Sequence, residues 1–348
     1  MKEKIRTAIC SYGMSGQIFH GPLLKSNPNY EVVSILERLK NNALKHFTEN
    51  QIVRSYDKIL NDKTIDLVIV NTPDHLHYAM TKKAILAGKH VVIEKPFVYH
   101  YDEALELIEL ANKMHQKITI FQNRRWDSDF LTVQKVLKSK KLGRVVEFEA
   151  HFDRFRNFVR EGSWKENPSI GTGTLYNLGS HLIDQALVLF GNPGAITARL
   201  HKLREGSKVD DAFEIWLHYE KLRVTLKCSY LTKEPGPKYL LHGTSGSYVK
   251  YGEDTQEKDL KAGKYPGTPE WGTEPRENQG IIHFERNGKD TREEVVSERG
   301  NYPFFYQQLS DALNNNNDLP VVAEEAANVI KTIEKCVESN SLGTRVDF

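Results

Sequence analysis

The chain has little of several things, and each shortage excludes a class. Among 348 residues there are three cysteines, Cys10, Cys228 and Cys336, widely spaced and without a CxxC pair. That count supports neither a disulfide framework nor a zinc site, so no metal is expected, and it points to a reducing, cytoplasmic compartment. No charge of one sign dominates: 48 Lys+Arg stand against 46 Asp+Glu, leaving +2. A protein that tracks a phosphate backbone needs a basic surplus this chain lacks, so nucleic acid is not an expected partner. No apolar run approaches the roughly 18 residues of a membrane-spanning helix. The densest, Leu67–Val70, stops within a few residues. The opening MKEKIRTAIC is basic but enters a short apolar strand pattern with no cleavage site, so it does not read as a signal peptide. What is present is a globular mixture, 39% hydrophobic and 27% charged. At roughly 150 residues per domain it makes about two domains.

Periodicity divides the chain near residue 122. Before it, Ile5–Cys10, Glu31–Glu37, Ile65–Asn71, His90–Glu94 and Lys117–Gln122 read as buried strands. Amphipathic stretches lie between them: Gln17–Ser26, Leu39–Thr48, Tyr56–Leu60, His75–Leu86 and Asp102–His115. Strict alternation joined by right-handed crossovers gives a doubly wound parallel sheet, whose ligands bind at the carboxyl ends of the strands. Beyond it, a helix near Phe130–Ser139 leads into period-two strands at Val145–Phe155, Thr197–Leu203, Ala212–Tyr219 and Arg223–Tyr230. These suggest an open, mostly antiparallel sheet. A long helix over Thr174–Phe190 closes on Gly191. Gly252–Gly280 reads as a surface loop, and Glu324–Glu338 as a C-terminal helix that could pack on either domain. The expected fold is α/β: residues 1–122 a dinucleotide-binding Rossmann domain, residues 123–348 a substrate-binding and oligomerisation domain.

The first strand runs into Ser11-Tyr12-Gly13-Met14-Ser15-Gly16 and then a helix. The dinucleotide fingerprint Gly-x-Gly-x-x-Gly belongs there, and its second and third glycines, Gly13 and Gly16, are present. Ser11 replaces the first, which a small residue tolerates if its φ stays negative. At the tip of the second strand Glu37 could hold ribose hydroxyls, pointing to NAD. The adjacent Arg38 could hold a 2′-phosphate, pointing to NADP. A solvated Glu-Arg pair is the bland alternative. Thr72, Pro73, His75 and His77 follow the next long strand, and Glu94-Lys95-Pro96 closes the one after. A strand-end lysine is often only a solvated cap. Beside a cationic nicotinamide, Lys95 would lose proton affinity and could act as an acid or hydrogen-bond donor. In the second half, Asn177, His181 and Asp184 are spaced to share one helix face. A core histidine with satisfied bonds is one reading of His181, and a group trading protons with an alcohol is the other.

Together these motifs resemble the Gfo/Idh/MocA family of NAD(P)-dependent oxidoreductases over essentially the whole chain. Asn123–Phe130, His151–Arg156 and Gly300–Pro303 are similar to its scyllo-inositol 2-dehydrogenase branch. The resemblance implies hydride transfer between NAD or NADP and a ring secondary alcohol of a polyol or sugar. It implies Lys95 and His181 as the proton-handling pair, polyol contacts from Arg124, Trp126, Asp153 and Asn177, and an open sheet used as a subunit interface in a homodimer or homotetramer. Cofactor contacts are expected from Gly13, Met14, Ser15, Gly16, Glu37, Arg38, Thr72, Pro73, His75, His77, Glu94 and Lys95. Arg124 and Trp126 also suit a packed latch between domains. Asn177 departs from the family's usual Asp and can carry neither a proton nor a charge. The family also contains redox-assisted glycoside hydrolases, and loss of catalysis would leave an NAD(P)-binding regulator.

Overall fold

A computed structural model describes residues 3–348, with the backbone alone at Trp164. Met1 and Lys2 of the basic opening lie outside the described residues. Two compact units form. The first takes the residues up to Trp126 with Thr255–Trp271 and Asn301–Ala327; the second takes Asp127–Asp254, Gly272–Gly300 and Asn328–Phe348.

The first unit is built on six parallel strands, β1 (Ile5–Ile9), β2 (Tyr30–Leu36), β3 (Ile52–Val53), β4 (Leu67–Val70), β5 (His90–Ile93) and β6 (Ile118–Ile120), in the order 3-2-1-4-5-6. The central run Leu-Val-Ile-Val of β4 is buried at every position, as expected of a strand covered on both faces. Helices Tyr56–Asn61, His77–Leu86 and Tyr101–Lys113 fill the crossovers as read from the sequence. The Leu39–Thr48 helix does not form; only a 3-10 turn, Asn42–Lys45, appears there. The Arg54 guanidinium takes the Glu37 and Lys40 carbonyls at 2.7 and 2.8 Å, and the second is an acceptor that a helix would have used internally. A late segment, Pro303–Asn315, adds an unexpected helix whose Phe305 and Tyr306 rings meet Phe121, Trp126 and Tyr30 edge-on or tilted.

The second unit carries nine strands: β7 (Val145–His151), β8 (Ala195–His201), β9 (Ala212–His218), β10 (Arg223–Ser229), β11 (Tyr239–Gly243), β12 (Gly246–Lys250), β13 (Gly280–Arg286), β14 (Lys289–Val295) and β15 (Val346–Asp347). Their order is 14-13-12-11-7-10-9-8-15, and every pair is antiparallel except β7 with β10. Strand β7 stops at His151 rather than Phe155; beyond it the Phe152 and Arg154 N–H groups still donate to the Lys227 and Ser229 carbonyls, both at 2.9 Å, and Phe155 makes an isolated bridge to Leu231. Helices Ser128–Lys138 and Ser180–Phe190 also belong to this unit. The segment read as a surface loop holds a short helix, Gln256–Lys261, and buries Gln256, Leu260, Trp271 and Glu274. Gln256 explains part of that burial: its side-chain amide donates to the Trp126 carbonyl and accepts from the Tyr302 N–H. Among the described residues no helix is long and apolar enough to cross a membrane.

Candidate active site

In the first unit the groups of interest sit where strands β1, β2, β4 and β5 end. After β1 the chain turns sharply, and the Ser11 hydroxyl closes the turn by accepting the Gly13 N–H at 3.3 Å. Ser11 keeps a negative φ, as the turn required. Gly16 opens a π-helical turn, Gly16–His20, and a Cβ there would run into the Ser11 carbonyl oxygen. Only glycine lets the helix start this close to the strand. Asn71, at the end of β4, donates to the Ser11 carbonyl at 2.7 Å and the Ser15 hydroxyl at 3.2 Å. Its Oδ1 is buried with no hydrogen-bond partner. A buried acceptor lacking a donor, beside a glycine-spaced backbone turn, fits a bound dinucleotide. Met14 is exposed and Ser15 half-buried beside it.

A cavity of about 640 Å³ opens beside this turn, lined by Gly13, Glu37, Arg38, Thr72 and Pro73 of the expected cofactor residues and by Ser11. It also takes in Lys40, Arg54, Met80 and Lys83. Glu37 is buried, and its carboxylate accepts the Asn42 and Ala43 N–H groups at 3.1 and 2.9 Å. Both oxygens are thus engaged by the loop that follows β2. Arg38 and Lys40 project into solvent at the cavity.

Lys95 follows Glu94 at the end of β5, and its backbone N–H donates to Glu94 Oε2 at 3.1 Å. Burial alone would push the Glu94 carboxyl up. The His20 hydrogen bond and the neighbouring His20, Lys95 and His77 outweigh it, so the group lies below the ordinary glutamate range. His77 is fully buried and turned inward: its ring nitrogens meet the Pro96 carbonyl at 2.8 Å and the Thr72 carbonyl at 3.1 Å. It ties the ends of β4 and β5 together. His75 is exposed.

In the second unit the helix bearing Asn177 and His181 starts irregularly. Leu175–Gly179 is a π-turn and only Ser180–Phe190 is a regular α-helix. The constant spacing expected between Asn177 and His181 is therefore interrupted, because a π-turn closes on the fifth residue instead of the fourth. Asn177 is half-buried and hydrogen-bonded to Tyr230. His181 is 6% exposed, with its ring 6.4 Å from that of Phe152. Asp210 secures the helix start: its carboxylate accepts the Leu175 N–H and the Thr174 hydroxyl, both at 2.8 Å. Gly173, at φ +88°, makes room, since a Cβ would strike that carboxylate. Burial holds the Asp210 carboxyl above the ordinary aspartate range despite these bonds.

The remaining expected contacts already have partners. Arg124 forms an ion pair with Glu257. Trp126 is buried against Phe305. Asp153 holds the His151 ring through one oxygen and the Ser229 N–H through the other, both at 3.0 Å. Sequence reasoning missed His20, Asn71, Asp210 and Tyr230. Asn71 closes an apolar strand run and His20 sits in an apolar helix start, so a signal existed for both. Asp210 and Tyr230 reach the helix from distant strand ends, which no local pattern reveals.

Comparison with known proteins matches residues 5–122 to the oxidoreductase family's NAD-binding Rossmann fold and residues 134–348 to its C-terminal alpha/beta domain, under the family names GFO_IDH_MocA and GFO_IDH_MocA_C. IolW of Bacillus subtilis, named scyllo-inositol 2-dehydrogenase (NADP(+)), is 38% identical over 97% of this chain and 94% of its own. YdgJ of Escherichia coli, an uncharacterised oxidoreductase, is 38% identical over 97% of each chain. The crystal structure of an oxidoreductase from Bacillus cereus, 34% identical, superposes with a TM-score of 0.92 over 99% of both chains.

Proposed function

This chain belongs to the Gfo/Idh/MocA family of oxidoreductases, and from that membership we propose that it reversibly oxidises a ring secondary alcohol of an inositol-like polyol or sugar, with NADP as its preferred cofactor. The likeness to a scyllo-inositol 2-dehydrogenase (NADP(+)) along 97% of the chain supports the substrate class. One observation carries the cofactor preference: both Glu37 oxygens are engaged by backbone N–H groups, while Arg38 and Lys40 stand exposed on the cavity. A carboxylate so engaged is a poor ribose clamp, and a guanidinium beside it suits a 2′-phosphate.

In this reading residues 1–122 bind cofactor and residues 123–348 bind substrate. Gly13, Met14, Ser15 and Gly16 cradle the pyrophosphate with the backbone of the turn, Thr72 and Pro73 flank the cofactor, and Arg38 holds the 2′-phosphate. Bound there, the nicotinamide supplies the hydride acceptor. Lys95 and His181 hydrogen-bond the alcohol oxygen and take its proton, stabilising the developing alkoxide. Asn177 and Asp153 orient neighbouring hydroxyls, each from a bond it already makes to Tyr230 or to His151 and Ser229. Asn177 serves this role without a carboxylate, because an amide both donates and accepts. A cytoplasmic homodimer or homotetramer completes the proposal.

The test is an initial-rate screen of cyclic polyols and sugars with NADP⁺ and NAD⁺, read by absorbance of the reduced nicotinamide. Scyllo-inositol or a close stereoisomer should turn over, faster with NADP⁺. Cleavage of a glycoside without net change in cofactor would replace the proposal with a redox-assisted hydrolase. Cofactor binding with no turnover across the panel would make the protein a regulator.

A further inference from the structure

Beneath the end of β5 lies a chain of buried polar groups that the proposed reaction does not use. His20 is fully buried, packed 4.5 Å from the Phe121 ring. Its Nδ1 lies 2.6 Å from the Tyr306 hydroxyl and its Nε2 lies 3.1 Å from Glu94 Oε1. Burial pushes the Tyr306 hydroxyl far up, so it remains an O–H donor. Its backbone carbonyl in turn accepts the Tyr30 hydroxyl at 2.7 Å. These partners assign the tautomer: Tyr306 donates to Nδ1, and the Nε2–H donates to Glu94. The other Glu94 oxygen accepts the Lys95 N–H. The bonds from Tyr306 and His20 thus run toward the Glu94 carboxylate, and the Lys95 N–H donates into the same carboxylate from its other side.

We propose that His20 is a positioning residue for Lys95: it holds the Glu94 carboxylate in one orientation, and that carboxylate fixes the backbone from which the lysine projects. The inference rests on the reading of Lys95 as a proton-handling group. The chemistry demands such a donor. The Glu94 side chain is only 14% exposed, and a carboxylate withdrawn from water needs hydrogen bonds to both oxygens. Lys95 supplies one from its backbone, and His20 supplies the other. The groups facing Glu94 are His20 from the first helical turn, His77 from the His77–Leu86 helix, and Lys95 itself. Tyr306 stands behind His20, and Tyr30 behind Tyr306. Without the His20 N–H, one Glu94 oxygen is left bare, burial drives the carboxyl toward its neutral form, and the hold on the Lys95 N–H slackens.

A carbon-13 NMR titration of the Glu94 carboxyl tests this on the full-length protein, the resonance being identified by its loss in Glu94→Gln. His20→Leu should raise the Glu94 midpoint by about a unit. His20→Gln, which keeps an N–H in place, should recover most of the shift. An unmoved midpoint in a His20→Leu protein that still melts cooperatively overturns the proposal. Should that variant not fold, His20→Asn keeps a polar side chain but is too short to reach Glu94; a midpoint unmoved there overturns it equally. Turnover of scyllo-inositol with NADP⁺ separates the two readings. His20→Leu should lower kcat roughly 10- to 100-fold, as loss of an outer-shell partner does, with KM for NADP⁺ within about twofold. Added to Lys95→Ala it should cost nothing more. Full kcat in Lys95→Ala would overturn the role of the lysine and this inference with it. Loss of kcat in Lys95→Ala but not in His20→Leu would overturn this inference alone.

Discussion

At the scale of single residues, the difference between what a side chain is and what it is already bonded to decides its role. Glu37 stands where a ribose-binding acid belongs, yet its carboxylate is tied to Asn42 and Ala43. Glu37→Gln should therefore weaken NADP⁺ and NAD⁺ binding together by loosening the loop, since an amide can accept from only one of those N–H groups without opposing the other. Arg38→Ala should weaken NADP⁺ alone, by about 10- to 100-fold if a charge-assisted bond of 1.5–3 kcal/mol is lost. Fluorescence titration with each cofactor reads both. A Glu37→Gln protein with its preference shifted toward NADP⁺ would show that the carboxylate reaches the ribose after all. The residue types at these positions were legible in the sequence; their engagement was not, because a hydrogen bond to a backbone five residues on leaves no mark in composition.

Elements show where local pattern fails and why. The Val- and Ile-rich runs of β1, β2, β4, β5 and β6 announced themselves because a strand covered on both faces must be apolar throughout. Strands β11 to β14 escaped notice: β14 reads Lys-Asp-Thr-Arg-Glu-Glu-Val, and no position in it is buried. Its pairing with β13, not its own apolarity, makes it a strand. The helix Pro303–Asn315 carried a usable signal in Pro303 at its first turn and in its aromatic face. The π-turn before His181 had no such signal. It depends on Asp210, so Asp210→Ala should cost about 1–2 kcal/mol, the scale of a lost helix cap, in urea unfolding. An unchanged midpoint would mean that the turn holds itself.

Strand β7 offers a test by pH. Burial alone would depress the His151 imidazole, but bonds to Asp153 and Glu149 outweigh it and the group titrates above the ordinary 6.5. A raised histidine stabilises the fold fully below its unfolded pKa, and that contribution is lost as pH rises through the folded value. His151→Gln should thus be most destabilising, relative to wild type, near about pH 6 and least so near about pH 9. Denaturant unfolding at both pH values checks this. An equal difference at the two would show that the ring is held by packing and not by its charge.

For the whole molecule, the family and the α/β architecture of both sheets were readable because motif spacing and strand order are properties of the chain in sequence. The assembly of each unit from separated segments was not. Thr255–Trp271 and Asn301–Ala327 join the first unit through contacts such as those of Gln256 and Tyr306, which sequence proximity does not foretell. The central claim is that a hydride leaves a ring carbinol of a polyol for the nicotinamide. It is tested most directly with scyllo-inositol carrying deuterium on its ring carbons, NADP⁺ and the purified protein, followed by mass spectrometry of the products. The account predicts one deuterium in the reduced nicotinamide for each ketone formed. Ketone formed without label in the nicotinamide, or no label transferred from any cyclic polyol in the panel, would contradict it.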